Sequence, residues 1–285
     1  MNVKNIFFSF GVCMLLPFLT SCGNDDERDN DLSVNVASDY NGYSVANSTY
    51  FKNQIYLDQS LTVTRMGMNQ VGVSYDSSSL GAFEVLNATV TESDGKYRIS
   101  GSGKTSMGMG GAQPKEYECT LNALVDKSTK TSTFEFSIPA VMGGTDITLY
   151  EGALPESQFK YLIAGTYNGH TVAKAQYFPQ GMTDADQSIA VSANDDNTVC
   201  IKFKSSKWGE IVIESANISM SGSVAAISGD GVATMGMEGQ NAKSYACSVD
   251  GAVDVASSGK ATFEFLVPSV MGGLTITFNE GEPAE

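Results

Sequence analysis

The stretch TFEFSIPAVMGG occupies residues 133–144, and the closely similar TFEFLVPSVMGG occupies residues 262–273. In the first copy, Phe134, Phe136 and Ile138 alternate with the polar residues between them. Alternation with a period of two is typical of a half-buried β-strand and not of a helix. The duplicated stretch therefore predicts the same strand, followed by the same glycine-rich turn, at two places in the chain.

The similarity between the two copies extends well beyond this stretch. ISGSGKTSMGMGG at residues 99–111 matches ISGDGVATMGMEG at residues 227–239. Shorter matches lie at the two ends of the copies, with YNG at 40–42 and 167–169, ITLYEG at 147–152 and ITFNEG at 276–281. Self-similarity at a fixed spacing indicates tandem copies of one domain. We therefore predict a first domain at residues 37–153, a linker at 154–162 and a second domain at 163–285.

Short alternating runs separated by turn signals fill each copy. KEYECTLNALVD at residues 115–126 places Tyr117, Cys119 and Leu121 on one face, and the turn sequence DKSTK follows it at 126–130. We count about eight such strands per copy and find no helical stripe of three turns. Eight antiparallel strands with one apolar face predict an all-β chain of two tandem closed up-and-down barrels, with a β-sandwich as the second choice.

The first 22 residues have the pattern of an export signal. A basic residue, Lys4, precedes an apolar run at residues 6–19, and small residues follow before Cys22. This run is too short for a comfortable membrane span, so we predict a signal peptide at residues 1–21. Its end, LTSC, resembles the lipobox of bacterial lipoproteins. That resemblance implies that Cys22 is diacylated and anchors the protein to a membrane.

An acidic stretch, GNDDERDND, follows at residues 23–31. It contains no apolar residue that could pack, so we expect a hydrated tether over residues 22–36. An acidic run directly after the modified cysteine resembles the surface-export signals of Bacteroidetes lipoproteins. The resemblance implies an outer-membrane protein that faces outward, with a periplasm-facing protein as the main alternative.

The two domains carry a family resemblance of their own. The opening GTYNG at residues 165–169 and the Met–Gly-rich turn before the last strand are similar to the calycin-like domains of Bacteroidetes lipoproteins. The resemblance covers residues 38–152 and 163–281, although the first copy opens with SDYNGYSV and lacks the Gly–Thr pair. It implies barrels that enclose a small apolar ligand, as in the lipocalins and fatty-acid-binding proteins.

Methionines recur at equivalent positions of the two copies. Within a strand, residues two apart point to the same side, so the methionines of each MGM phrase share one face. Such thioethers could fill the core, line an apolar cavity or bind Cu(I), but a copper site usually needs a further His, Cys or Met ligand. We predict no metal site, and our candidate ligand-lining residues are Met107, Met109, Met142, Met235, Met237 and Met271.

Composition excludes several functions. The net charge is −15, from 32 acidic and 17 basic residues, without a basic cluster for nucleic acid. His170 is the only histidine, and no GxSxG motif marks a serine nucleophile, so we predict no Ser–His–Asp triad. The acidic turn SANDDN at residues 192–197 lacks the glycine and distal glutamate of a calcium loop, and we predict a hairpin turn there. We expect no enzymatic activity and no cofactor.

The remaining candidates are cysteines, duplicated glutamates and one tryptophan. Cys119 and Cys247 alternate with other inward residues and should be buried, whereas Cys200 faces the opposite way. A Cys200–Cys247 disulfide is therefore disfavoured, and an exposed thiol remains an alternative for Cys200. Glu135 and the matching glutamate of the second copy should face solvent. Trp208, matched by Leu80 in the first copy, lies in a turn and is predicted to be partly exposed, as a candidate surface contact for glycans.

These observations lead to two functional hypotheses. In the first, the chain is a lipid-anchored protein whose barrels bind a small apolar or amphipathic molecule. In the second, filled barrels serve as a structural or adhesive module that contacts protein or glycan partners through its loops. Whether side chains fill the barrel interiors decides between the two, because an eight-stranded barrel is the size at which either can occur.

Overall fold

The computed structural model describes residues 30–108, 113–236, 241–256 and 260–283, which form two closed antiparallel barrels of eight strands each. The predicted signal peptide and Cys22 lie outside the described residues. The first barrel contains β1 (Ser38–Ser48), β2 (Gln54–Gly67), β3 (Gln70–Ser77), β4 (Gly81–Ser93), β5 (Lys96–Met107), β6 (Lys115–Val125), β7 (Thr133–Ile138) and β8 (Thr145–Glu151). The second contains β9 (Gly165–Ala175), β10 (Phe178–Ala193), β11 (Val199–Ser205), β12 (Gly209–Ser221), β13 (Val224–Met235), β14 (Lys243–Asp254), β15 (Ala261–Val267) and β16 (Leu274–Glu280).

Each barrel is closed by pairing between its first and last strands. In the first barrel, Gly42 of β1 pairs with Glu151 of β8, and Ser48 pairs with Thr145 at the other end of the same ladder. In the second, β9 pairs with β16 in the same antiparallel sense. The predictions of an all-β chain, two tandem domains and closed barrels are therefore confirmed, and the β-sandwich alternative is wrong.

Strand β7 shows why these sequences form barrel walls. Phe134, Phe136 and Ile138 point inward and are fully buried, while Glu135 between the two phenylalanines is exposed, as the alternation predicted. The same holds for Glu264 of β15. Burying a large apolar side chain contributes about 1.5–3 kcal/mol, so this pattern fixes which face of each strand turns inward.

Aromatic rings fill the middle of both barrels. In the first, the rings of Tyr75, Phe83 and Phe136 lie within 5.0–5.8 Å of one another, centroid to centroid. In the second, Phe203 stacks on Phe265 at 5.8 Å. Such ring pairs add stability beyond the area that they bury. The middle of each barrel is therefore a packed core.

The duplicated VMGG phrase is a tight turn before the last strand of each barrel. The Gly144 amide donates to the Val141 carbonyl at 2.9 Å, and the two residues between them have positive φ, 48° at Met142 and 71° at Gly143. Two successive positive φ angles are characteristic of a type I′ turn, which glycine adopts easily and methionine does not. Met271 repeats this geometry with φ of 51°.

Two short helices, which the sequence patterns did not reveal, cover one end of each barrel. Helix α1 (Ser33–Val36) precedes β1, and helix α2 (Phe159–Ile163), after a 3-10 turn at Glu156–Gln158, precedes β9. Val36 and Ile163 are fully buried. Among the described residues, no helix is long and apolar enough to cross a membrane.

A tyrosine of the following strand holds each helix in place. The Tyr40 hydroxyl donates to the Val36 carbonyl at 2.7 Å, and the Tyr167 hydroxyl donates to the Ile163 carbonyl at 2.6 Å. Burial, with the nearby Glu151 carboxylate as the smaller cause, raises the pKa of Tyr40 to about 12. Both hydroxyls therefore remain protonated donors at neutral pH. We refer to α1 and α2 as the plug helices.

Asp31 attaches the first plug helix to the barrel wall. Its carboxylate accepts hydrogen bonds from the Ser33 amide at 3.0 Å, the Asn69 amide at 2.9 Å and the Arg65 guanidinium at 2.7 Å. Its side chain is only 3% exposed, so the expectation of a hydrated tether up to residue 36 was wrong for its last residues. These donors satisfy a carboxylate that could not otherwise be buried.

Replacing Asp31 should destabilise the first barrel in a pH-dependent way. Hydrogen bonds from Ser33, Asn69 and Arg65 hold the pKa of Asp31 well below its usual range. A carboxylate with a lowered pKa stabilises the fold above its unfolded pKa of about 3.9, and this contribution is lost as pH falls toward the folded value. Asp31→Asn should therefore lower the Tm at pH 7, and the difference from the parent should shrink as pH falls from 4 to 2.

Thermal unfolding followed by circular dichroism measures this difference. The control is Asp76→Asn, at an exposed strand position, which should shift the Tm by about 2 °C or less at pH 7. A gap between Asp31→Asn and the parent of equal size at pH 7 and pH 2 would contradict the role assigned to the carboxylate.

The first barrel contains a buried network of hydrogen-bonded side chains that the second barrel does not reproduce. The Tyr75 hydroxyl donates to Gln59 Oε1 at 2.7 Å and accepts from the Ser44 hydroxyl at 3.0 Å. In the second barrel Thr171 takes the place of Ser44, and Phe203 takes the place of Tyr75. Thr171 Oγ1 is fully buried and has no hydrogen-bond partner in the described part of the chain.

Removing the Thr171 hydroxyl should therefore stabilise the protein. Thr171→Val keeps the shape of the side chain and relieves a buried unsatisfied group, which costs about 1–3 kcal/mol. The matched change in the first barrel, Ser44→Ala, breaks a formed hydrogen bond and should lower the free energy of unfolding by about 1 kcal/mol. Urea denaturation measures both, and a loss of stability in Thr171→Val would refute the assignment.

Candidate functional site

The first barrel has an open cavity of about 530 Å³ at the end opposite its plug helix. Loops between strands form its rim, because β1, β3, β5 and β7 all end there. We call it the mouth cavity. Its lining residues in the described part of the chain are Ala46, Phe51, Gln54, Tyr56, Ser79, Leu80, Met107, Gly108, Gln113, Lys115, Tyr117, Val141, Met142, Thr145 and Ile147.

The mouth cavity lies directly on the aromatic core. Ala46 of β1 and Ile147 of β8, which pair across the barrel closure, are fully buried and belong to the core. Phe51, Tyr56 and Tyr117 are partly buried and pack against that core from above. The barrel interior is thus filled in its middle and open at one end, so neither a fully open nor a fully filled barrel describes it.

Apolar and aromatic side chains form most of the cavity wall, and polar side chains form about a third of it. Among its lining residues, Lys115 alone carries a charged side chain, and it lies at the exposed start of β6. Burial raises the pKa of Tyr56, so its hydroxyl remains a neutral hydrogen-bonding group. An apolar wall with a small number of polar groups is the usual composition of a small-molecule site, and the volume lies within the usual range of about 300–1,000 Å³.

The structure brings together two of the six methionines predicted to line a ligand site. Met107, at the end of β5, and Met142, in the VMGG turn, both line the mouth cavity. Their counterparts differ, since Met235 is 9% exposed and Met271 is 38% exposed. Met109 and Met237 lie outside the described residues. The ligand itself stays a prediction.

The backbone at Met142 adds an independent observation. A positive φ disfavours residues with a Cβ, and strained residues cluster at functional sites. Gly143 and Gly144 follow immediately and would suit the turn without such a cost. Met271 has the same conformation and is 38% exposed, so the positive φ belongs to the shared turn and does not by itself mark the cavity.

Trp208 is a correction to the sequence analysis. We expected it to be partly exposed at the surface, but it is 8% exposed and stacks on Phe178, with ring centroids 6.0 Å apart and planes at 29°. The side chain is buried because it packs on Phe178, and the Trp208 amide donates to the Ser205 hydroxyl at 3.4 Å, at the end of β11. A glycan contact through the indole face is therefore not available.

The buried cysteine thiols and the histidine side chain, which could be reactive, are packed or hydrogen-bonded in the described part of the chain. Burial raises the pKa of the Cys119 thiol and, as the main cause, raises that of Cys247 to about 11, so both are neutral at pH 7. Cys119, Cys200 and Cys247 are free thiols. His170 Nδ1 lies 2.9 Å from the Gly281 carbonyl oxygen. Within the described ranges, no three His, Cys, Asp or Glu residues cluster as metal ligands.

The acidic turn at residues 192–197 connects β10 and β11, as predicted, and an ammonium group lies against it. The Lys160 side chain of α2 donates to the Asn194 carbonyl at 2.6 Å and to the Asp195 carbonyl at 3.3 Å. Lys160 is buried, so this contact attaches the second plug helix to its barrel. The Asn194 and Asp195 carbonyl groups of this turn therefore stabilise the contact between α2 and the second barrel.

A second concavity, of about 650 Å³, lies on the outside of the first barrel. It is bounded by the first strand, residues 57–60 of β2 and the start of the linker at 152–154, and it is wider open to solvent than the mouth cavity. Tyr43 borders it and stacks on Tyr150 at 5.2 Å. Because backbone and small residues form much of this groove, the mouth cavity is the better candidate.

Comparison with known proteins supports the fold. The family model of the Calycin-like beta-barrel domain matches residues 36–152 and again residues 163–280. The chain therefore belongs to the calycin-like β-barrel family, with one family domain in each barrel.

Among solved structures, the chain is similar to a candidate outer membrane protein of Bacteroides fragilis. The two share 21% sequence identity with a TM-score of 0.61, over 88% of this chain and all of the other. At this level of identity the likeness shows the shared fold alone. Among curated proteins, none matches the chain.

The sequence analysis missed the aromatic part of the site. Tyr117 was placed on an inward face, but nothing in its strand distinguishes a core position from one at the open end. Phe51 and Tyr56 lie in a stretch without clear alternation. The one available signal was the repeated aromatic pair of TYF at residues 49–51 and QYF at 176–178, directly after the first strand of each copy.

Proposed function

We propose that the protein binds a small apolar or amphipathic molecule in the mouth cavity of its first barrel. The observation that carries the proposal is an apolar cavity of about 530 Å³ lined by aromatic and methionine side chains, with one cationic residue at its rim. Such side chains adapt to an apolar ligand and stack on its rings. Polar groups at the rim suit a molecule with one hydrophilic end.

The states of the buried thiols and of two carboxylates also favour a binding role. The buried thiols are neutral, and the carboxylates of Asp31 and Glu151 are hydrogen-bonded to nearby backbone amides. Groups committed in this way are not placed for acid–base or nucleophilic catalysis. We therefore propose a binding protein and not an enzyme.

We further propose that Cys22 carries the lipid anchor and that the protein resides at the outer membrane, facing outward. The proposal rests on the apolar run, the LTSC sequence and the acidic stretch after Cys22. The similar protein of Bacteroides fragilis, a candidate outer membrane protein, agrees with this location. The periplasmic face is the alternative orientation.

A structural or adhesive role is the second candidate, and one observation favours it for the second barrel. There the Trp208 indole stacks on Phe178 above a core that includes Phe203 and Phe265. A barrel filled in this way would act as a rigid spacer, so the two domains could serve different tasks.

The anchor is tested by replacing Cys22. In a Bacteroides host fed with radiolabelled palmitate, the parent should incorporate label, and Cys22→Ala should lose it and leave the membrane fraction. Cys119→Ala, which removes a buried thiol, should keep the label. Protease treatment of intact cells then separates the two orientations, because a surface-facing protein is cleaved and a periplasm-facing one is protected.

The binding role is tested with two probes on the purified full chain. N-phenyl-1-naphthylamine, a neutral dye, should gain fluorescence on binding, and decanoate should bind by calorimetry. Met107→Glu places a carboxylate in the apolar lining and should weaken dye binding at least about tenfold, equivalent to about 1.4 kcal/mol.

Met66→Glu is the matched control, since Met66 is 52% exposed and does not line the cavity. It should bind the dye like the parent. Failure of the parent to bind either probe, or equal loss of dye binding in the two variants, would remove the mouth cavity as the binding site.

A further inference from the structure

The two barrels share the backbone of one turn at the open end but differ in two of its side chains, which are Ser79 and Leu80 in the first barrel and Lys207 and Trp208 in the second. The turn between β3 and β4 contains Leu80, whose amide donates to the Ser77 hydroxyl at 3.3 Å. The turn between β11 and β12 contains Trp208, whose amide donates to the Ser205 hydroxyl at 3.4 Å. The same bond spans the same three residues in both, so Leu80 and Trp208 occupy equivalent backbone positions.

The glycine after each of these residues fixes the direction of the chain. Gly81 has φ of 92° and Gly209 has φ of 78°, values that residues with a Cβ rarely adopt. A Cβ at either position would also collide with a carbonyl oxygen of the neighbouring strand, that of Ser106 or Thr234. Backbone geometry is therefore shared, and the two turns differ in the side chains that this backbone carries.

The neighbour of this side chain is also shared. Phe51 and Phe178 end the matching sequences TYF and QYF after the first strand of each barrel. In the second barrel the Trp208 indole stacks on Phe178, with centroids 6.0 Å apart. In the first barrel Phe51 and Leu80 both line the mouth cavity. The smaller leucine leaves open a volume beside Phe51 that the indole takes up beside Phe178.

We propose that the ligand of the first barrel is a molecule with a flat, fused aromatic ring system that stacks on Phe51. In the second barrel, the Trp208 indole occupies the corresponding place on Phe178. This inference rests on the proposed binding function and names the chemistry of its ligand. In this proposal, the side chain at residue 80 of the first barrel, or at the equivalent residue 208 of the second, determines whether the barrel is open. Trp208 closes the second barrel to the same ligand.

The rest of the cavity fits such a ligand. The Tyr56 and Tyr117 rings and the Met107 thioether offer faces that favour contact with aromatic rings. The Lys115 ammonium at the rim favours an anionic substituent on the ring system. About 530 Å³ exceeds the space that two fused rings need, so ring substituents can also be accommodated.

The ring preference is tested by competition on the purified full chain. The competitors are 2-naphthoate, a planar fused-ring carboxylate, and decanoate, a straight-chain carboxylate of similar size. 2-Naphthoate should displace N-phenyl-1-naphthylamine at a concentration at least about tenfold lower than decanoate does. Equal or tighter binding of decanoate would overturn the ring preference while leaving the proposed binding function in place.

The role of residue 80 is tested by exchanging the two side chains. Native mass spectrometry should find one 2-naphthoate per parent chain, none with Leu80→Trp and two with Trp208→Leu. Leu86→Trp, which adds the same rings at a position that is 53% exposed and does not line the cavity, is the matched control and should keep one bound molecule. Circular dichroism and thermal unfolding check that each variant is folded.

The outcomes distinguish failure of the inference about residue 80 from failure of the proposed binding function. A folded Leu80→Trp chain that binds like the parent, or a folded Trp208→Leu chain that stays at one molecule, overturns the inference alone. If Leu80→Trp does not fold, the stoichiometry of Trp208→Leu decides. A parent chain that binds neither 2-naphthoate nor decanoate removes the proposed function and the inference with it.

Discussion

Closure of the first strand on the eighth is the constraint on which both barrels depend. Once Gly42 pairs with Glu151 and Ser48 with Thr145, the number of strands fixes the width of the interior. An eight-stranded barrel has room for side chains or for one small ligand, but not for both at the same level. The inward side chains therefore decide, level by level, whether the interior is core or cavity. Aromatic rings occupy the middle level of each barrel, and in the first barrel the level above them remains partly open.

The two ends of each barrel have different tasks because of the same topology. An even number of antiparallel strands returns the chain to the end at which it started, so a short helix before the first strand can cover that end. Asp31 and Lys160 attach the two plug helices, one through a buried carboxylate and the other through an ammonium group, to the same hairpin of their respective barrels. The described chain enters the first barrel at the end that the plug helix covers, opposite the mouth cavity.

The sequence predicted the architecture because its signals are local and repeated. The alternation in β7 fixes the inward residues, and the duplicated VMGG turn marks the last strand of each barrel. The plug helices escaped prediction because four or five residues, such as Ser33–Val36, contain no helical period, and their stability comes from burial and from the Tyr40 and Tyr167 hydroxyls. Trp208 was misplaced for a related reason. Its position in a turn indicates exposure, and only the fold reveals that this turn folds over Phe178.

Duplication makes the two barrels a natural comparison, since each shows what a given side chain does in the shared framework. Where the first barrel has Tyr75 and Ser44 in a satisfied polar network, the second has Phe203 and an unsatisfied Thr171 hydroxyl. Trp208 Nε1 is likewise buried without a hydrogen-bond partner in the described residues. Among its described residues, the second barrel thus retains buried polar atoms that their surroundings do not satisfy, including these two. Such costs persist where packing around them compensates, and the indole supplies that packing by covering the end of the aromatic core. The first barrel needs no such cover if a ligand provides it, and this difference argues that its open end is a binding site.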